Sequence, residues 1–295
     1  MPAAEVNVTA ELVARLLADQ HPDLAGLPLA RAANGWDNAI FRLGDDLAVR
    51  LPRRQAAADL IRNEQRWLPE LSVGLQAVTP VPLRTGTPSS YFPWYWTITQ
   101  WVDGIQAAGI EPHGRSQAAE DLARFVLDFQ RPAPPDAPRN PVRGGPLSTR
   151  NAAVEERVAS AGLSEDLLFL WRDLRDQPEW DGPPLWLHGD LHAANLVLDR
   201  AGGLAAVLDF GDLTSGDPAT DLAAAWMVFD GGGRRTFMET INSERAPDPA
   251  TWRRARGWAL CMASAMAAIS DDNPIFRSMG VRILEEVLLD EGVTG

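Results

Sequence analysis

The hydrophobic pattern of this chain changes character near Gly104, which limits it to folds that keep a sheet and a helical body apart in sequence. Before that point, one amphipathic stretch (about Thr9 to Gln20, with Leu12, Val13, Leu16 and Leu17 on one stripe) precedes short β-type segments separated by turns. LPLARAAN, AIFRLG and LAVRLP are joined by GWDN and by the tight Gly44-Asp45-Asp46 turn. The spacing predicts a helix from about Gln55 to Leu71 that carries Glu64. Two further strands, TPVPLR and YWTITQWV, are expected on either side of the turn-rich TGTPSSYFP. Trp94, Trp96 and Trp101 are read as packing residues on one face of the last strand.

Beyond Gly104, helices are expected from about Arg115 to Phe129, Ser148 to Ala161 and Glu165 to Asp176. Three or four more are expected between Asp217 and about Asp290, with Trp226, Trp252 and Trp258 in their packing. RPAPPDAPRNPVRGGP cannot continue a helix, because proline lacks the N–H and its ring clashes with the preceding turn; the stretch reads as a long surface loop. NLVLD and AAVLDF flank a Gly-Gly turn and predict a hairpin. The expected class is α+β and bilobal. Residues 1–103 form a small antiparallel-sheet lobe with one helix and a connection near 99–103, and residues 104–295 form a larger, mostly helical lobe.

Composition removes several kinds of function. At 295 residues and 45% hydrophobic, the chain can bury a large core. No run approaches the roughly 18 apolar residues that span a bilayer, and the start lacks a basic segment followed by an apolar one. The expectation is a cytoplasmic protein with no membrane partner, as a monomer or homodimer. A net charge of −13, without a long basic run, argues against a nucleic-acid partner. All 27 basic residues are arginine, so mechanisms that need a lysine amine, such as a Schiff base or a P-loop, are excluded. The single cysteine, Cys261, cannot form an internal disulfide and reads as a core residue.

The chemistry concentrates in His188-Gly189-Asp190-Leu191-His192-Ala193-Ala194-Asn195, followed by the hairpin and then Asp209-Phe210-Gly211-Asp212. Phosphoryl transfer to an alcohol needs an acceptor for the hydroxyl proton, oxygens that ligate magnesium, and a cation on the phosphates that stay behind. An Asp with an Asn five residues later can place a carboxylate toward substrate and an amide oxygen toward metal, and a neighbouring strand pair can bring in Asp209. Neither His188 nor His192 has the partner spacing of a zinc site.

HGDLHAAN and LDFGD resemble the catalytic-loop and metal-binding motifs of the aminoglycoside phosphotransferase family, which is similar in fold to protein kinases. The likeness runs over nearly the whole chain and includes GDPATDL, whose Asp217 and Asp221 would cap a helix and brace the loop. The resemblance implies Asp190 as catalytic base and Asn195 with Asp209 as magnesium ligands. It implies that His188 braces the loop, and it leaves His192 either near substrate or turned inward. In the first lobe it places Arg50, paired with Glu64, where such folds carry the strand lysine on the α- and β-phosphates; an arginine there departs from the pattern. Gly35 and Asn38 fall in the nucleotide-covering loop, and Gln100, Trp101 and Val102 in the hinge that meets the purine edge.

The implied activity is transfer of the γ-phosphate of ATP or GTP, with Mg2+, to a hydroxyl of a small molecule, foremost an aminoglycoside or macrolide antibiotic. A choline- or homoserine-like metabolite kinase stays open, as does a nucleotide-binding pseudokinase without turnover. Protein-kinase activity is disfavoured, because nothing between Phe210 and Asp221 is long enough for an activation loop.

Overall fold

The computed structural model describes residues 4–34, 38–270 and 273–290. Its contacts separate two units. One comprises Met1–Gly74, Val78–Asp103 and Leu208–Gly211, the other Leu75–Ala77, Gly104–Val207 and Asp212–Gly295.

In the first unit, the Thr9 hydroxyl accepts the Leu12 N–H and caps α1 (Ala10–Gln20), which buries Val13, Leu16 and Leu17. The strands are β1 (Leu29–Asn34), β2 (Asn38–Leu43) and β3 (Leu47–Pro52); after α2 (Gln55–Leu71) come β4 (Arg84–Gly86) and β5 (Trp96–Gln100). They form one antiparallel sheet in the order β1-β2-β3-β5-β4. Phe41 lies opposite Val49, and Val49 opposite Ile98, so these three share a face and join the α1 side chains in one buried cluster with Leu43, Leu51 and Trp96. Burying each such side chain stabilises the unit by about 1.5–3 kcal/mol. The alternate positions Ile40, Arg50 and Thr97 occupy the other face, where the Gln65 amide donates to the Trp96 carbonyl and the Thr97 hydroxyl.

Two expectations fail here. TPVPLR is not a strand, because Pro80 and Pro82 have no N–H to give; ladder bonding starts at Leu83, which donates to the Ile98 carbonyl at 2.8 Å, and β4 covers only Arg84–Gly86. Trp101 does not share a face with the buried Trp94 and Trp96. It lies past the end of β5, with the Arg42 guanidinium 4.9 Å from its ring centroid and its indole N–H on Asp103.

The second unit begins with β6 (Ile105–Gln106) and, after a 3-10 segment at Pro112–Ala118, α3 (Ala119–Phe129), α4 (Asn151–Ser160) and α5 (Asp166–Arg175). Then come β7 (Leu185–Leu187), β8 (Leu196–Leu198), β9 (Leu204–Val207) and β10 (Thr214–Gly216). The chain closes with α6 (Ala219–Leu222), α7 (Ala224–Val228), α8 (Gly231–Glu244), α9 (Pro249–Ile269) and α10 (Pro274–Leu289). Helix α9 is buried over most of its surface, including Trp258, Leu260 and Met262, and packs against α4, α5, α6 and α10. β8 and β9 make the expected hairpin and β6 joins it as a third strand; β7 pairs with β10. Among the described residues, no helix is long and apolar enough to cross a membrane.

The proline-rich stretch is the long, largely exposed loop expected of it, and specific bonds tie it down. The Arg131 carbonyl accepts from Trp186 N–H, Ala133 N–H donates to Pro184, the Pro138 carbonyl accepts from the Thr214 and Ser215 hydroxyls, and the Gly144 carbonyl accepts from Asp217 N–H. It is laced along β7 and β10 by its own backbone. The approach is close enough that a Cβ on Gly216 would sit 2.1 Å from the Gly144 oxygen.

Candidate active site

Helix α2 turns a stripe of Ala57, Ile61, Glu64, Leu68 and Leu71 inward, and a carboxylate in the middle of an apolar stripe requires a cation. Strand alternation supplies one. Arg50, between the core residues Val49 and Leu51, points to the α2 face and forks onto Glu64, with Nη1 to Oε2 at 2.5 Å and Nη2 to Oε1 at 3.2 Å. The side chains are 7% and 1% exposed. Burial works against the guanidinium charge, but the carboxylates of Glu64 and Asp209 outweigh it and hold Arg50 above its ordinary pKa. Burial pushes the Glu64 carboxyl up, against the pull of Arg50.

Asp209 belongs to this same unit. It adopts a left-handed backbone, φ 59°, uncommon for any residue but glycine and a mark of functional loops. Its Oδ1 lies 3.5 Å from Arg50 Nη2, and its side chain is 55% exposed. The structure thus brings Arg50, Glu64 and Asp209 together.

The other first-unit candidates sit elsewhere. Asn38 is buried at the start of β2, opposite Pro52, and among the described residues its Oδ1 has no hydrogen-bond partner; Gly35 lies outside the described residues. Gln100 is the exposed end of β5, Val102 is half-buried, and the Trp101 N–H is committed to the Asp46 carbonyl at 2.7 Å.

In the second unit, residues 188–195 connect β7 to β8. Gly189, at φ 86°, lets the His188 and Gly189 N–H groups converge on the two oxygens of Asp221, each at 2.8 Å; a Cβ there would lie 2.4 Å from the Asp212 carbonyl oxygen. Asp221 is fully enclosed. Burial pushes its carboxyl up to about 7, with the Asp190 charge adding to that and the two N–H bonds opposing it. Asp217 accepts the Ala219 N–H and is forked by Arg254 at 2.7 and 3.3 Å.

Asp190 is held from two sides. Arg143 Nη2 donates to Oδ1 at 3.2 Å, and His192 Nε2 lies 3.2 Å from Oδ2. His192 Nδ1 accepts the Ala194 N–H, which places the imidazole proton on Nε2 and directs it at the carboxylate. His192 is buried with its ring against Asp190, and His188 Nδ1 accepts the Asp190 N–H. Burial alone would raise the Asp190 carboxyl, but His192, Arg143 and His188 outweigh it and hold it well below the usual carboxylate range. Asn195, in the 3-10 turn Ala193–Asn195, commits its amide nitrogen to the Asp190 carbonyl at 3.0 Å, which leaves its amide oxygen as the free end of the group. Asp190 and Asn195 are thus brought together.

Sequence reasoning missed Arg143 and its neighbour Asn140, whose Nδ2 donates to Asp212 at 2.6 Å. Both come from the proline-rich stretch, and no periodicity or motif marked them.

Among the described residues, no group of three or more His, Cys, Asp or Glu side chains could by itself hold a metal ion. The Asp209 carboxylate is exposed and the Asn195 amide oxygen is left over by the bond its nitrogen makes, and each by itself is the kind of hard oxygen that magnesium takes beside phosphate and water.

Residues 28–258 match the profile of the phosphotransferase enzyme family. The chain belongs to that family. It is an enzyme that transfers phosphate to hydroxyl groups. No curated protein sequence matches this phosphotransferase significantly. Among solved structures it is similar to the GDP complex of aminoglycoside 2'-phosphotransferase-IIIa, at 19% identity and a TM-score of 0.73 over 95% of this chain and 99% of that one. It is similar also to macrolide 2'-phosphotransferase MphH from Brachybacterium faecium (18%, TM-score 0.62, 92% and 98% covered). The streptomycin-ATP ternary complex of APH(2")-IIa matches at 17% and a TM-score of 0.57, with 95% and 97% covered. At these identities the likeness establishes the fold of the phosphotransferase: an antiparallel-sheet unit and a mostly helical one, as in the kinase-like aminoglycoside phosphotransferases.

Proposed function

We propose that the enzyme moves the γ-phosphate of ATP or GTP to a hydroxyl of a small molecule, with an aminoglycoside or macrolide antibiotic as the leading acceptor class. The observation that carries this reading is the Asp190 carboxylate, kept ionised and tied by Arg143 and His192 beside an amide-oriented Asn195. Names of similar solved structures support the substrates: they include GDP, ATP and streptomycin complexes and macrolide phosphotransferases.

In this mechanism Asp190 accepts the hydrogen bond of the acceptor hydroxyl and orients its oxygen. Because its pKa is depressed, it takes the proton late, as suits a loose transition state in which little bond formation precedes charge transfer. Arg50, its plane fixed by the fork onto Glu64, would turn its remaining N–H groups to the α- and β-phosphates. Asn195 and Asp209 would hold Mg2+, which supplies charge neutralisation on the transferring phosphoryl group when bound. Gly35 and Asn38 are assigned the phosphate-covering role, Asn38 from its place as the first residue of β2. With the Trp101 N–H already donated to Asp46, the purine edge uses the neighbouring backbone of Gln100 and Val102.

The test is a coupled nucleotide-turnover screen with ATP and GTP against antibiotic and metabolite alcohols, with Asp190→Ala as control. The substitution should lower turnover about 10²–10⁴-fold; equal rates sink the base assignment. A second reading, nucleotide binding without turnover, draws on Arg50 in the lysine position and leaning on Asp209. Binding of magnesium-nucleotide with no transfer across the whole panel would favour it.

A further inference from the structure

The mechanism above uses Arg143 only as a charge beside Asp190, yet its guanidinium is engaged on three sides. Nε donates to the Gly189 carbonyl at 2.8 Å, Nη2 reaches Asp190 Oδ1 at 3.2 Å and Asp212 Oδ2 at 3.7 Å, and Nη1 donates to the Val142 carbonyl at 3.3 Å. Asn140 holds the other Asp212 oxygen. The stretch that carries both residues is anchored to β7 and β10 by bonds that do not involve the Arg143 side chain, from the Arg131, Pro138 and Gly144 carbonyls. The loop's path is therefore set independently, and the guanidinium is delivered to a place already fixed.

Opposite it, His192 is locked by the Ala194 N–H and by the edge of Phe276, at 5.5 Å between ring centroids, and occupies Oδ2. Each carboxylate oxygen of Asp190 thus has one dedicated donor, and the rotamer is held from both sides. An Asp with only the histidine contact could rotate its carboxylate about the Cβ–Cγ bond, because a single hydrogen bond does not define the plane of a carboxylate.

We propose that Arg143 is a positioning residue for phosphoryl transfer: delivered by the 131–146 stretch, it fixes the Asp190 carboxylate through Oδ1 and makes that stretch part of the catalytic machinery. This rests on reading Asp190 as the group that receives the acceptor hydroxyl. The charge on Arg143 is useful only where it sits, since a misplacement of about 1 Å in a catalytic group can cost about 10²-fold in rate.

The experiment compares the parent, Arg143→Ala, Arg143→Lys and Asp190→Ala in ATP and GTP turnover, with water and with kanamycin as acceptors. Arg143→Ala should lose about 10²-fold in kcat with the KM for nucleotide unchanged. Millimolar guanidinium should restore part of that loss in Arg143→Ala and none in Asp190→Ala, and Arg143→Lys should fall between. Unchanged kcat, or a loss that appears only in KM, overturns the proposal, as does a loss that guanidinium leaves untouched. Should the parent turn over neither nucleotide, the functional reading fails separately, and a crystal structure of Arg143→Ala decides the positioning role. A displaced or spread Asp190 carboxylate supports it, and one unmoved refutes it.

Discussion

Replacing Glu64 with alanine would deprive the Arg50 guanidinium, 7% exposed in the parent, of its fork and leave it a 3.5 Å approach to Asp209. Removing one partner of a buried ion pair typically costs about 3–5 kcal/mol, because the charge that remains has lost both its water and its counter-ion. Each kcal/mol lowers the melting temperature by about 2–4 °C in domains of 150–250 residues, so a fall on the order of 10 °C is expected. Glu64→Gln keeps one acceptor oxygen and should cost about 1–3 kcal/mol. The decisive comparison is the double variant Arg50→Met with Glu64→Leu. Well-packed apolar replacement of a buried pair is often neutral or stabilising, so this protein should melt near the parent while its nucleotide affinity collapses. Thermal and urea unfolding followed by circular dichroism, beside a nucleotide titration, would separate the two effects. If Glu64→Ala melts with the parent, or the double variant is no more stable than the single, the pair is not the buried, mutually dependent unit described above.

Gly189→Ala should destabilise the 188–195 segment and reduce turnover, since the residue sits at φ 86° with the Asp212 carbonyl 2.4 Å from the new methyl; hydrogen exchange at His188 and Gly189 would register it. Asp221 makes stability depend on pH. Its carboxyl is pushed up to about 7 from the ordinary 3.8, so its contribution is fully present below about pH 4 and is lost as pH rises toward 7; Asp221→Asn should flatten that part of a urea-midpoint profile. Asp230→Ala should cost about 1 kcal/mol, because its carboxylate accepts the Gly232 and Gly233 N–H groups at the start of α8, where three glycines supply no helix propensity of their own; a melt of the variant checks it.

What could be read in advance follows the range of the forces involved. The α1 stripe and the bounds of β3 and α2 were legible, because each element buries one face and writes that burial into its own sequence. The pairing of Arg50 with Glu64 came through the family resemblance, and the buried α2 stripe explains it, since an acid at such a position has to meet a base. The strand expected at TPVPLR was misplaced because β propensity was weighed without counting the N–H groups that Pro80 and Pro82 lack. Trp101 was assigned to a strand that ends one residue earlier, at Gln100. Arg143 was illegible for a different reason: its partner Asp190 lies 47 residues further along, and the proline and glycine content of its stretch says only what the backbone cannot do. Composition excludes a helix there but gives no path.

Asp209 travels in the chain among residues of the helical body, yet it packs with the sheet. Anyone building chimaeras by exchanging residues 1–103 would part Arg50 and Glu64 from the Asp209 carboxylate that sits 3.5 Å from Arg50. Segment 208–211 should therefore be transplanted with the sheet as one graft.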